Sequence, residues 1–246
     1  MSAGRLIRHF STIDSTNDHA LTLAASGAPD GSVVSADEQT AGRGRRGREW
    51  HSPEGGLYLS YIVRGLDRFP KPSLLTLAAG VAVARAIASA TGLVAQLKWP
   101  NDVITSGAPL KLAGVLAEGS SVAGRLEYVV IGIGINVMLA SVPAELAGAA
   151  SSLEHELGRA VDRPALQAAL VGELDAAMAG LRRGAHGELM AAWGSLAPGG
   201  RGAPVSWRAG EDLRRGVTEG VDDDGALLVR GAAGLERLVA GEVIWA

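Results

Sequence analysis

The stretch from Pro72 to Thr91 limits the fold more than any other part of this 246-residue chain. It is alanine-rich and is closed by Gly92, a residue suited to the left-handed turn that ends a helix. A helix this apolar has to be mostly buried. The flanking sequence supplies what buries it. Leu57 to Val63 is rich in aromatic and branched residues and reads as a strand. Val94 to Trp99, Leu110 to Glu118 and Leu126 to Ile133 read as three more, separated by turn-like composition at Ser106 to Pro109 and Gly119 to Gly124.

Two further helices have readable starts. Ser15 with Asp18 approximates a capping box, apolar Ala20, Leu21, Leu23 and Ala24 follow, and Gly27 closes the run. Asp162 and Pro164 open the other, with Leu166, Leu170, Leu174, Met178 and Leu181 on one face. Val33 to Ala36 reads as a strand. After Pro198-Gly199-Gly200 the character changes to short strands at Val205 to Trp207, Gly216 to Thr218, Ala226 to Val229 and Val243 to Trp245, with an acidic turn at Asp222 to Gly225. The expectation is an α+β fold: a main domain over 1–198 and a small all-β barrel over 199–246.

Composition excludes some chemistry. There are no cysteines, which rules out disulfides, cysteine metal sites and thiol nucleophiles together. The net charge of −3 argues against a surface built for polyanions. The first residues lack the apolar core of a signal peptide, and no apolar run is expected to reach the ~20 residues of a membrane span. A soluble cytoplasmic protein with no membrane partner is expected.

Four segments could carry chemistry. Gln39 to Trp50 (QTAGRGRRGREW) holds four arginines between glycines. Glycines let backbone N–H groups converge on an anion, and arginine offers a planar fork that matches phosphate and keeps its charge. The segment alone fits an anion cradle and a solvated surface loop equally well. Lys98 to Asp102 (KWPND) ends a strand at Pro100, and its Asn101-Asp102 turn suits ligand or magnesium contacts as well as a plain hairpin. Lys111 opens an otherwise apolar strand, so its ammonium must reach water or meet an anion. Gly132 to Asn136 (GIGIN) lacks the third glycine of a dinucleotide fingerprint. Its glycines either let something flat approach the backbone beside Asn136 or allow strands to pack closely.

Together and in this order, Ser15-Thr16-Asn17, GRGRRGR (Gly42 to Arg48), KWPND, KLAG (Lys111 to Gly114) and GIGIN resemble the biotin protein ligases, from about Leu6 to the C-terminal GEVIW. The resemblance implies a central mixed or antiparallel sheet with helices, like the catalytic domain of class II aminoacyl-tRNA synthetases. It implies joining of biotin to ATP as biotinyl-5′-AMP, then transfer to a lysine of a biotin carboxyl carrier domain of a carboxylase. Magnesium is expected with ATP, and its ligands are left unknown. On the same ground Ser15, Thr16, Asn17 and Gln39 surround the ureido ring, Gly114 lies where the ligand passes the chain, and Arg43, Gly44 and Arg45 line the biotin and phosphate site. Arg48 is a further phosphate contact, and Arg46 points elsewhere in at least one state. Lys111 and Arg45 are the catalytic residues, Asn101 and Asp102 sit beside the phosphates, and Asn136 reads the adenine edge. Because only about a dozen residues precede Asp14, the short form without a DNA-binding domain is expected, and no DNA partner. A ligand-dependent homodimer is left open.

Three rivals deserve comparison. Octanoyl transferases of the same fold need a cysteine nucleophile, which this chain lacks. A lipoate-type ligase is the nearest enzymatic alternative, but a lipoyl head has no ureido group for the polar Ser-Thr-Asn and Gln39 set to satisfy. A nucleic-acid module built on the arginine segment is opposed by the acidic balance and by only 4% aromatic residues for stacking.

Overall fold

A computed structural model describes residues 4–122, 124–146, 148–239, 241 and 243–245. Seven strands form one mixed sheet: β1 (Ile7–Ile13), β2 (Val33–Gln39), β3 (Leu57–Arg64), β4 (Gln96–Lys98), β5 (Asp102–Ile104), β6 (Lys111–Val122) and β7 (Arg125–Ile135), in the order β1-β2-β3-β7-β6-β5-β4. The β1–β2 pair is parallel and is bridged by helix α1 (Thr16–Ala25); the others are antiparallel. That is the expected α+β sheet, with two strands that the sequence did not announce, β1 at the edge and β5, which begins at Asp102 where a turn was expected.

Helices cover both faces. On one lies α2 (Leu75–Thr91), entered through a short 3-10 turn at Pro72–Leu74 and closed by Gly92 at φ +80°. Contrary to the sequence expectation, Pro72–Thr91 is long and apolar enough to cross a membrane by length and composition, but 72% of that window is buried in the molecule. Helix α3 (Leu153–Leu157) is a single short turn, and α4 (Arg163–Arg182) and α5 (His186–Leu196) pack over α2. Asp162 caps α4 by accepting from the Ala165 amide at 3.0 Å. Leu166, Leu170, Leu174, Met178 and Leu181 are all buried, as their spacing predicts. On the opposite face α1 lays Ala20 and Ala24 against Val34, Ile62 and Val130. Ser15 caps it, receiving the Asp18 amide at 3.3 Å.

The turn expected over Gly119 to Gly124 is shorter than that. β6 and β7 stay paired out to Val122↔Arg125, and Leu126 folds across the space that a side chain on Gly119 would fill. Residue 123 of this turn lies outside the described residues.

The C-terminal module is a five-stranded antiparallel sheet of β8 (Arg201–Ala209), β9 (Asp212–Val221), β10 (Leu227–Gly231), β11 (Gly234–Leu238) and β12 (Val243–Trp245), in the order β11-β10-β9-β8-β12. Glu242 of GEVIW lies outside the described residues. Buried Val205, Trp207, Leu227 and Val229 join the same core as α2. The acidic turn is the second joint. Asp222 Oδ1 accepts the amides of Asp224 and Ala226, both at 2.9 Å, and Gly225 at φ +83° offers its carbonyl to Trp99 Nε1 at 2.9 Å. A side chain on Gly225 would press on Leu74 and Leu77, so the turn lies close against α2 and its entry turn.

Candidate active site

A cavity of about 240 Å³ opens on the α1 face of the sheet. Its walls come from the start of α1, the end of β2, the arginine segment, Lys98 to Asp102, the first half of β6, Gly132 to Gly134 of β7, and Gly241 and Val243 of the C-terminal module. One topological fact brings these together. β7 is the central strand with β6 beside it, and α1 packs over β2, β3 and β7 so that its first residues reach the cavity.

The polar end is a connected chain of hydrogen bonds. Gln39 Oε1 accepts from the Thr16 amide at 2.8 Å and its hydroxyl at 3.0 Å, while Gln39 Nε2 donates to Ser52 Oγ at 2.8 Å. The buried Ser60 hydroxyl bridges Thr16 Oγ1 at 2.9 Å and Asn17 Oδ1 at 2.8 Å. Ser15, Thr16 and Asn17 are at most 5% exposed. Polar atoms buried this deeply stay there because each has a partner. Gly132 explains itself here: a Cβ would come within 2.4 Å of Asn17 Oδ1.

The middle is floored by glycine. Gly114 and Gly134 are paired across β6 and β7, and Trp50 lies over both. A Cβ on Gly134 would meet the indole Nε1 at 2.4 Å, and one on Gly114 would meet the ring at 2.9 Å. The flat group admitted by the second glycine of GIGIN is therefore this chain's own tryptophan. Trp50 Nε1 is buried and has no hydrogen-bond partner. Sequence reasoning assigned Trp50 no role, although its place directly after the arginines was the available signal.

The charged end joins three segments. Lys111 Nζ lies 2.7 Å from Asp102 Oδ1 and 5.1 Å from the centre of the Trp50 ring. Arg45 donates to Asn101 Oδ1 at 2.8 Å. Asn101 is itself fixed, since its Nδ2 donates to the Val115 carbonyl at 2.9 Å and its own carbonyl accepts the Val115 amide at 3.0 Å. Partial burial lowers the pKa of Arg45, opposed by nearby Asp102. Arginine stays charged through such a shift. Two cations from separate segments thus converge beside one Asn-Asp turn.

The arginine segment itself is a closed turn. Arg43 and Glu49 bridge, Gly44 N–H donates to the Arg48 carbonyl at 2.7 Å, and Trp50 N–H donates to Gly42 at 2.9 Å. Arg46 at φ +59° and Gly47 at φ +74° form the tip. Arg46 and Arg48 both line the cavity, as do Gly44 and Arg45.

Two of the candidates are held by partners of their own. The Arg43 guanidinium does not stand ready for an anion: one nitrogen lies 2.6 Å from Asp18 Oδ1 and 2.8 Å from Glu118 Oε2. Arg43 nonetheless lines the cavity. Asn136 is not among the residues that line it. It is buried, and its Nδ2 donates to the Ser151 carbonyl at 3.1 Å and the Lys111 carbonyl at 3.3 Å, so it braces the start of β6. All the other candidates, from Ser15 to Gly114, line the one cavity. Among the described residues no three His, Cys, Asp or Glu side chains cluster as a metal cage.

Residues 9–136 match the biotin/lipoate A/B protein ligase family, and residues 202–245 match the biotin protein ligase C-terminal domain. The biotin–[acetyl-CoA-carboxylase] ligase of Paracoccus denitrificans is 37% identical over 94% of this chain and 97% of its own length. The protein of the same name from Mycobacterium tuberculosis is 38% identical over 94% of this chain and 85% of its own. The bifunctional ligase/repressor BirA of Bacillus subtilis is 34% identical over 98% of this chain and 74% of its own. Among solved structures, the biotin protein ligase from Aquifex aeolicus in complex with biotin and ATP superposes with a TM-score of 0.84 at 28% identity, covering 99% of both chains. The Leishmania major ligase in complex with biotinyl-5-AMP gives 0.68 at 26% identity, covering 97% of this chain and all of that one.

Proposed function

This chain belongs to the biotin protein ligases, and from that premise we propose how its residues divide the work of the reaction. It is an ATP-dependent biotin–[acetyl-CoA-carboxylase] ligase that proceeds through biotinyl-5′-AMP. The observation that carries the residue assignment is the convergence of Lys111 and Arg45 on one cavity whose other end is neutral and polar.

In the first step a biotin carboxylate oxygen attacks the α-phosphorus of ATP, and pyrophosphate leaves. Two anions must meet, so the barrier is electrostatic. Lys111 has three N–H donors and, among the described residues, one ion-pair partner, Asp102, so it can bridge carboxylate and α-phosphate without leaving its place. Arg45 covers the phosphate from the other side. In the second step the carrier's lysine amine attacks the biotinyl carbonyl, an amide forms, AMP leaves and the nitrogen loses a proton. Asp102, held by Lys111 through one oxygen, offers the other to an N–H of the attacking amine and orients it.

Ser15, Thr16, Asn17 and Gln39 receive the ureido ring, with the Arg43 and Gly44 backbone closing over it. Such a pocket rejects a head group that cannot satisfy its donors and acceptors, which favours biotin over lipoate. The tail runs along the floor of Gly114, Gly134 and Trp50. Arg48 adds phosphate charge, and Asn136 acts by holding Lys111's strand, while adenine contact through its remaining amide oxygen belongs to the same proposal. Magnesium entering with ATP would take phosphate and water as its main ligands, and Asp102, which lines the cavity, would be placed to join them. The edge strand β1, with Ile7 exposed, is the surface through which a ligand-dependent dimer would form. A cytoplasmic setting and a unit boundary near 198/199 complete the proposal.

Incubation with ATP, magnesium and radiolabelled biotin, with and without a carrier domain, tests it. Biotin-dependent pyrophosphate exchange without carrier, and label on the carrier with it, are expected. Absence of exchange in the wild type contradicts the reading.

A further inference from the structure

Glu118 has no part in the scheme above, yet it is the most connected carboxylate near the cavity. It lies on β6 on the same face as Gly114 and Leu116, two residues beyond the last cavity-lining position of that strand. Its Oε2 accepts from Asn17 Nδ2 at 2.5 Å and from the Arg43 guanidinium at 2.8 Å. The same Arg43 nitrogen meets Asp18 at 2.6 Å. One oxygen therefore joins a residue of the head pocket to the first arginine of the closing segment.

Resting on the reading of the site just given, we propose that Glu118 is a positioning residue that latches the arginine segment over the biotin head. Three physical points support it. A carboxylate accepts hydrogen bonds and cannot donate, so it forces Asn17 to turn Nδ2 outward and Oδ1 toward Ser60. That fixes the orientation of an amide within the pocket. Second, two carboxylates on one guanidinium hold Arg43 by charge-assisted bonds, stronger than neutral ones. With its side chain anchored to β6 and α1, the Arg43–Gly44 backbone is carried to the mouth of the pocket. Third, the latch works from outside the reacting centre. The Lys111–Asp102 and Arg45–Asn101 pairs share no partner with it. Loss of the latch should loosen retention of biotin and of biotinyl-5′-AMP while leaving phosphate chemistry in place.

The test compares wild type, Glu118→Gln, Arg43→Met and the double variant, using the full chain loaded with labelled biotinyl-5′-AMP. The dissociation rate of the adenylate is read by chase, beside the KM values for biotin and ATP in pyrophosphate exchange. Glu118→Gln keeps the shape and removes the charge. It is expected to release the adenylate about five- to tenfold faster, a discounted figure because the latch is partly exposed, and to raise KM for biotin with KM for ATP little changed. In the double variant the two effects should not add, since they interrupt one contact. Glu118→Asp, which keeps the charge on a shorter arm, should recover part of the retention and guards against a folding artefact. An unchanged release rate in Glu118→Gln, or full additivity with Arg43→Met, overturns the latch. A wild type that retains no adenylate instead overturns the reading of the site, so the two failures are distinct.

Discussion

Lys111 shows how much rests on single residues. It is partly exposed, and its contacts with Asp102 and Trp50 lie at the cavity, so the fold is not expected to depend on it. Lys111→Ala is expected to unfold like the wild type but to lose ~10²–10³-fold in biotin-dependent pyrophosphate exchange, the usual scale for removing a group that stabilises transition-state charge. Wild-type exchange rates in that variant would remove Lys111 from the mechanism. Arg45 differs because it also belongs to the segment that closes the cavity. Arg45→Gly should let biotinyl-5′-AMP escape and label bystander lysines, which a streptavidin blot of an unrelated protein would reveal. Gly134→Ala tests the glycine floor. Its new methyl would overlap the Trp50 indole, so a cost of about 1–3 kcal/mol and a shift in tryptophan emission are expected. The sequence motifs named nearly every residue of this cavity, because runs such as GRGRRGR and KWPND are local. Trp50, Ser60 and Glu118 escaped notice because their roles arise only where distant segments meet: Trp50 over the glycines of β6 and β7, Ser60 and Glu118 against the start of α1. The two carboxylates that hold the Arg43 side chain were not legible in the sequence for the same reason: they arrive from distant segments.

At the level of elements, burial and capping decided what could be read. α2 and α4 were legible because their apolar faces are continuous and α4 carries an Asp162 cap. α5 was not, since no side chain caps its start and only Trp193 among its residues is buried. β1 was missed because it is mostly exposed and is held by backbone pairing to β2 rather than by an apolar face. β11, polar and half exposed, escaped on the same grounds. The buried stripe of α4 carries a measurable load. Leu170→Ala removes a fully buried side chain between α4 and the core and should cost ~2–5 kcal/mol in urea unfolding. A loss under about 0.5 kcal/mol would mean that the stripe is not packed as described.

The whole molecule joins a mixed sheet, a helical layer and a C-terminal sheet around one core, and the joints fall beside the cavity. Trp99, inside the KWPND segment, donates to Gly225 of the acidic turn, while Gly241 and Val243 reach the cavity wall. The C-terminal sheet is thereby tied to the segment that holds Arg45 through Asn101. The sequence showed both modules but not this contact, which depends on how they dock. The central claim remains that Lys111 and Arg45 close on two anions that would otherwise repel. A crystal structure of the chain with biotinyl-5′-AMP tests it most directly. The account predicts nitrogens of both residues within about 3 Å of the phosphate or the biotinyl carbonyl oxygen, with residues 42–48 folded over the ligand. Finding that segment turned out to solvent, and Lys111 still bound only to Asp102, would contradict it.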